Sequence, residues 1–209
     1  MALLDDIKQN VEVGNRDAVL AQVQQALDEG TTAQDVLAQG LIAAMDIVGA
    51  KMEAEEMFIP EVLRAAKTME AGLGILRPHL AVGDVKVQGK VVIGTVKGDL
   101  HDIGKNLVAM LLASAGFDVV DVGINVTPAD FAKHVKDNDA NFLGLSALLT
   151  TTMPMMKETL AALETAGLRG QVKVLVGGAP VNQSFADQIG ADGYASDAGA
   201  AIKVAKELA

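Results

Sequence analysis

Lys90-Val-Val-Ile-Gly-Thr-Val96 is the run on which the fold turns, an apolar and β-branched stretch followed by Gly98-Asp-Leu-His-Asp-Ile-Gly-Lys-Asn106 and then by apolar residues at helical spacing. A short run with no polar alternation is a strand covered on both faces. The same unit recurs at Asp118-Val-Val-Asp-Val122, Asn141-Phe-Leu-Gly-Leu-Ser146 and Val172-Lys-Val-Leu-Val176, each followed by a turn and a helical pattern. Gly193-Tyr194-Ala195 is a fifth, weaker strand before a last helix from about Gly199 to Leu208. Alternating strands and helices predict a five-stranded parallel sheet with right-handed crossovers, and such sheets bind ligands at the carboxyl ends of their strands.

Upstream the period is helical throughout. Leu3, Leu4, Ile7 and Val11 share one face, Val19, Val23, Ala26 and Leu27 a second, and Val36, Leu37, Leu41, Ala44, Met45 and Val48 a third. Gly14, Gly30 and Gly49 fall near the expected ends, Thr31 or Thr32 caps the third helix, and Pro60 suits the first turn of a fourth that carries Val62, Leu63, Ala66, Met69 and Leu73. Four helices with short connections make a bundle suited to capping or docking. The expected organisation is a helical domain over residues 1–78, a linker over 79–89 and a sheet domain over 90–209.

Composition narrows the function classes. In 209 residues half are apolar, yet there are only five Phe, one Tyr and no Trp, so the cores are aliphatic. A formal net charge of -10 repels phosphate backbones and anionic lipid, which argues against nucleic-acid and membrane partners. The longest apolar candidate, Leu41 to Ala50, is too short to span a bilayer and contains Asp46, and the acidic start, Met1 to Asn10, is not a secretory signal. A cytoplasmic protein is expected. With no cysteine, any metal must be held by His, carboxylate or a cofactor's own ring.

The segment after the first strand carries the chemistry. His101 lies on a loop at the ligand-binding end of the sheet, and Asp99, two residues earlier, is placed to hold one ring nitrogen, fixing the tautomer and leaving the other nitrogen for a metal. Gly104 lets a bulky ligand approach the backbone. The loop after the third strand, Ser146-Ala-Leu-Leu-Thr-Thr-Thr152, is rich in hydroxyls, and the fourth strand ends at Gly177-Gly178. Read alone, each element has an ordinary alternative. A loop histidine is as readily a solvated residue, Gly-Gly an ordinary turn, and Met52, Met57 and Phe58 bundle core.

Taken together, Asp99-x-His101-x-x-Gly104, then Ser146-x-Leu148, then Gly177-Gly178 resemble the signature of the cobalamin-binding domains of methionine synthase and the corrinoid methyl carriers. Val48-Gly-Ala-Lys-Met52 and Met57-Phe-Ile-Pro60 are similar to the helical cap over the cofactor in that family. The resemblance covers nearly the whole chain. It implies an all-α four-helix-bundle cap followed by an α/β Rossmann-like (flavodoxin-like) parallel five-stranded sheet, with cobalamin as the cofactor, cycling between methylcobalamin and a Co(I) corrinoid.

Residue by residue, it implies that His101 ligates cobalt in place of the cofactor's own base and that Asp99 holds the far ring nitrogen. Thr152 stands where methionine synthase has the serine of an Asp-His-Ser relay. Asp102, Ile103, Ser146, Leu148 and Thr150 join the cofactor-binding set, Gly104, Gly177 and Gly178 make room for the nucleotide tail, and Asp197 and Ala198 lie near its far end. Met52, Phe58 and Ile59 shield the upper face, Met52 replacing an aromatic residue, and the cap must move to expose the methyl group.

The implied role is a methyl carrier that is not catalytic alone. Its implied partners are a donor:corrinoid methyltransferase, a corrinoid:acceptor methyltransferase of tetrahydrofolate or thiol type, and a reductive activating protein. A cobalamin-dependent sensor would need an output module, and a mutase small subunit would need a separate barrel. A flavodoxin-like or phosphoryl-receiver domain is the rival outside this cofactor class, although a receiver needs a phosphoacceptor aspartate where Ser146 stands.

Overall fold

A computed structural model describes residues 2–80 and 88–209, apart from the side chain of Glu53. The described residues fall into two compact units, one helical and one built on a sheet. Most of the expected linker over 79–89 lies outside the described residues.

In the helical unit, α1 (Ala2–Glu12) and α2 (Arg16–Asp28) are followed by α3 (Ala33–Asp35), a π-helical stretch Val36–Ile42 and α4 (Ala43–Glu53), which run on without a break. The unit ends with α5 (Ile59–Leu76) and a 3-10 turn at Arg77–His79. Thr32, rather than Thr31, caps the third rod: its Oγ accepts from Asp35 N at 3.1 Å and donates to the Asp35 carboxylate at 2.7 Å. Gly49, expected near a helix end, sits inside α4 because the rod continues to Glu53. Glu61 reaches back to accept from Phe58 N at 2.9 Å, half of a capping box that starts α5 together with Pro60. The apolar stripes meet in one interior of Ile7, Val11, Val19, Val23, Leu41, Val48, Val62 and Met69. Lys51 pairs with Glu12 and ties α4 to α1.

The second unit reads β1 (Lys90–Thr95), α6 (Ile103–Ser114), β2 (Asp118–Asp121), α7 (Pro128–Asp137), β3 (Phe142–Ser146), α8 (Pro154–Thr165), β4 (Lys173–Gly177), α9 (Gln183–Ile189), β5 (Gly193–Ala195) and α10 (Ala198–Leu208). All pairings are parallel and the strand order is β2-β1-β3-β4-β5. The chain therefore moves one way from β1 to β2 and the other way thereafter. With right-handed crossovers, α6 lies on the face opposite to α7, α8 and α9.

Val92, Leu143, Leu145, Val174 and Val176 meet Phe131, Val135, Met156, Leu160 and Leu163 in the core on the α7–α9 side. Thr127, Asn182 and Asp197 cap α7, α9 and α10 by accepting the backbone N–H three residues on. Among the described residues no helix is long and apolar enough to cross a membrane.

The reversal of direction sets β1 beside β3, with Thr95 paired to Ser146 at their carboxyl ends. Loops leaving two adjacent strands toward opposite faces open a crevice, and this is where such sheets bind ligands.

Candidate functional site

The loop after β1 begins with a turn in which Asp99 N donates to Val96 O at 3.1 Å, and the Thr95 hydroxyl donates to the His101 carbonyl at 2.8 Å. These bonds turn the chain so that the Asp99 carboxylate points inward, fully buried, while the His101 ring stays half exposed at 51%.

Five donors converge on that carboxylate. Oδ1 accepts from His101 N at 3.1 Å and meets His101 Nδ1 at 2.7 Å; Oδ2 accepts from the Thr152 hydroxyl at 2.8 Å, from Leu148 N at 2.8 Å and from Leu149 N at 3.3 Å. Burial by itself raises the Asp99 carboxyl, but the bonds from His101, Leu148 and Thr152 outweigh it and hold the group well below the usual aspartate value of 3.8. An ionised carboxylate can only accept, so Nδ1 carries a proton and Nε2 is the ring nitrogen left to offer a lone pair in the neutral tautomer. The Thr152 hydroxyl also lies 2.9 Å from Leu149 O, but its one proton goes to the charged acceptor.

Apolar side chains are exposed at the same end of the sheet as His101. Among the described residues of the sheet unit, the exposed large hydrophobic side chains are Leu100 (67%), Ile103 (86%), Ile124, Leu148 and Leu149 (42% each). Leu100, Ile124, Leu148 and Leu149 stand on loops at the carboxyl ends of β1, β2 and β3, and Ile103 opens α6. Beside Gly104 a Cβ would meet nothing within 4 Å. An oriented imidazole nitrogen, a collar of apolar side chains and a bare backbone at the helix start suit a large, largely apolar ring that presents a metal to one nitrogen ligand. A cobalamin fits this donor set.

The other expected residues fall into three groups. Asp102 accepts from Asn106 Nδ2 at 3.1 Å in the first turn of α6, Ser146 is half-buried at the end of β3, and Thr150 is exposed on the β3 loop. Gly177 and Gly178 end β4, with Gly178 at φ +125°. A Cβ at Gly178 would stand 1.9 Å from Ala147 O, and one at Gly177 would stand 3.0 Å from Ala195 O. The absence of side chains there thus serves the close approach of the β4 end to the ends of β3 and β5. Asp197 caps α10 by accepting from Ala200 N at 2.8 Å, and Ala198 is buried. In the helical unit Met52 is half-buried at the end of α4, whereas Phe58 and Ile59 are exposed at the start of α5 and are not bundle core.

Sequence reasoning missed Thr95, Lys105, Asn125, Ile124 and Leu149. A hydroxyl closing an otherwise apolar strand was the available signal for Thr95. An asparagine two residues after a glycine, beyond the second strand, was the signal for Asn125. Lys105 is almost fully buried with its ammonium paired to Asp121 and 2.6 Å from Asn106 Oδ1, and nothing in its local pattern distinguishes it from a solvated helix lysine.

Residues 89–203 match the B12 binding domain family, and residues 3–77 match a second family also described as a B12 binding domain. A corrinoid protein of Desulfitobacterium hafniense (strain Y51) is 40% identical over 211 residues, covering 100% of this chain and 98% of the relative. Dimethylamine corrinoid protein 3 of Methanosarcina acetivorans is 42% identical over 206 residues, covering 99% and 96%. A chain of the methanol:cobalamin methyltransferase complex MtaBC from Methanosarcina barkeri superposes with a TM-score of 0.88 at 31% identity, over 99% of this chain and 79% of that one.

Proposed function

Since the chain belongs to the family of B12-binding corrinoid proteins, we propose that His101 would ligate the cobalt of a cobalamin through Nε2 and that Asp99 and Thr152 hold the imidazole in place. The protein is a corrinoid methyl carrier that works with methyltransferases. Cobalamin, when bound, would supply a cobalt centre able to accept and give up a methyl group.

The chain's own residues position that centre and tune it. The Asp99 carboxylate fixes the protonated Nδ1, so the Nε2 lone pair is presented in one tautomer and orientation. Thr152 and the amides of Leu148 and Leu149 keep that carboxylate charged and stationary although it is out of water. Leu100, Ile103, Leu148 and Leu149 remove apolar surface from water when they cover the ring edge. Gly104 admits the ring to the backbone, and Ser146 and Thr150 offer hydroxyls to the nucleotide tail. Gly177, Gly178, Asp102, Asp197 and Ala198 belong to the same binding set. Met52, Phe58 and Ile59 would supply the apolar shield that the helical unit offers to a corrinoid, a role favoured by the exposure of Phe58 and Ile59.

The finer partners are a donor:corrinoid methyltransferase, a corrinoid:acceptor methyltransferase of tetrahydrofolate or thiol type and a reductive activating protein, all in the cytoplasm. One relative is named for dimethylamine and the structural neighbour for methanol; the choice of donor belongs to the partner's active site.

The observation that carries this reading is the 2.7 Å contact between Asp99 and His101 Nδ1, which leaves Nε2 as the ring nitrogen available to a metal. The test is an ultraviolet-visible spectrum of the full chain reconstituted with hydroxocobalamin, beside His101→Ala. Stoichiometric retention through gel filtration and a spectrum changed by His101→Ala are expected. A chain that loses its corrinoid on the column, or a spectrum indifferent to the substitution, refutes the ligand assignment.

A further inference from the structure

The Asp99 loop is held from a second side. Opposite the β3 loop, residues 121–126 run beneath it after β2. Asn125 adopts φ +55°, a left-handed conformation that asparagine tolerates better than most residues. Its backbone N–H donates to Asp99 O at 3.1 Å, and its side-chain Oδ1 accepts from Gly98 N at 2.7 Å. One residue thus grips both ends of the Gly98-Asp99 dipeptide.

The loop that carries Asn125 is itself anchored. Thr95 N donates to Gly123 O at 2.9 Å, Val126 N donates to Thr95 O at 3.0 Å, and Gly123 N donates to Asp121 Oδ1 at 2.9 Å. The other oxygen of Asp121 pairs with the buried Lys105 ammonium in the first turn of α6. Both ends of the β2 loop are therefore fastened to the segment that runs from β1 into α6.

On the reading of His101 as the cobalt ligand, we propose that Asn125 is a positioning residue for it, setting through the Gly98-Asp99 peptide where the Asp99 carboxylate meets His101 Nδ1. The Thr152 side of the network fixes Oδ2. The main chain from which the carboxylate springs is fixed by Asn125. Rotation of that peptide moves Oδ1 relative to the ring even when every contact of Oδ2 is kept.

The test compares wild type, Asn125→Gly, Asn125→Asp and His101→Ala in the full chain. Glycine keeps the left-handed backbone and the bond to Asp99 O, removing only the amide grip on Gly98. Aspartate restores an acceptor. Each protein is loaded with cobalamin and reduced by one electron, and electron paramagnetic resonance reads the ratio of nitrogen-ligated to unligated cobalt.

Loss of one exposed hydrogen bond predicts a ratio roughly two- to ten-fold lower in Asn125→Gly with corrinoid still retained, and a wild-type ratio in Asn125→Asp. An unchanged ratio in Asn125→Gly overturns the proposal, as does an equal fall in Asn125→Asp. Nitrogen NMR of the corrinoid-free proteins reads the Nδ1–H of His101 directly. Its protection from exchange should fall in Asn125→Gly and return in Asn125→Asp, and an unchanged signal in Asn125→Gly again overturns the proposal. If His101→Ala leaves the cobalt spectrum unaltered, the ligand assignment fails, and the NMR comparison still judges Asn125.

Discussion

Replacing Thr152 with valine removes one hydroxyl from beneath the Asp99 carboxylate and leaves the shape almost intact. In wild type that hydroxyl donates to a fully buried, ionised oxygen at 2.8 Å, and the oxygen keeps the amides of Leu148 and Leu149 as partners. A hydrogen bond to a charged group contributes about 1.5–3 kcal/mol, and with two donors remaining the loss falls at the lower end, about 1.5 kcal/mol. Leu149 O loses nothing further, because it already accepts from Thr152 N at 3.0 Å. With a urea slope of about 2 kcal/mol per M, the unfolding midpoint moves down by about 0.7 M.

Fluorescence is the assay, since Tyr194 is the single tyrosine in a chain without tryptophan and it lies in β5, so its signal follows the sheet unit alone. Thr152→Ser keeps the donor and should stay within about 0.5 kcal/mol of wild type. A valine variant as stable as wild type, or a serine variant as weak as the valine one, refutes the account of Thr152 as a donor to Asp99.

Other substitutions separate fold from binding. Gly178→Ala sets a Cβ 1.9 Å from the Ala147 carbonyl at φ +125° and should cost more than about 3 kcal/mol, seen as a sharply lowered melting temperature. Gly104→Ala meets nothing within 4 Å and should leave the melting temperature of the corrinoid-free protein unchanged or higher, while weakening corrinoid retention on gel filtration. Asp121→Asn leaves the buried Lys105 ammonium without its counter-charge and should destabilise by about 2–3 kcal/mol, less than for a wholly buried pair because Asp121 is 38% exposed and Asn106 Oδ1 still accepts from the ammonium, whereas Lys105→Met should cost less; equal urea midpoints would contradict this.

Acid should weaken the sheet unit through Asp99. Its folded value lies below the unfolded 3.8, so its contribution is complete above about pH 5 and is lost progressively as the pH falls further. Urea midpoints measured between neutral and acid pH should slope less in Asp99→Asn.

Much of this was legible in the residues. Near-continuous apolar strands can only be buried on both faces, so the parallel sheet followed from Lys90–Val96, Asn141–Ser146 and Val172–Val176, and the observed strands differ by a residue or so at their ends. Asp99 beside His101 was visible because the two are close in sequence. The contact of Thr152 with Asp99 spans 53 positions, and a hydroxyl's reach across two loops is decided by backbone geometry that no local pattern encodes.

The same holds for Asn125 and Lys105, whose partners sit on other elements. Gly49 was misplaced because the rod of α3 and α4 continues through its π-helical stretch, and glycine is only weakly disfavoured inside a helix that packing already supports.

The strand order has a consequence for how the protein is made. Synthesis delivers β1, α6, β2 and α7 before β3, yet β3 must take the place beside β1 that is still empty. Until it does, the Asp99 carboxylate lacks the amides of Leu148 and Leu149 and the hydroxyl of Thr152, three of its five donors. A nascent chain that ends near Asn141 therefore displays the complete Asp-x-His-x-x-Gly motif without a stationary imidazole. The imidazole of His101 is therefore fully held only once the β3 loop has followed β3 into place.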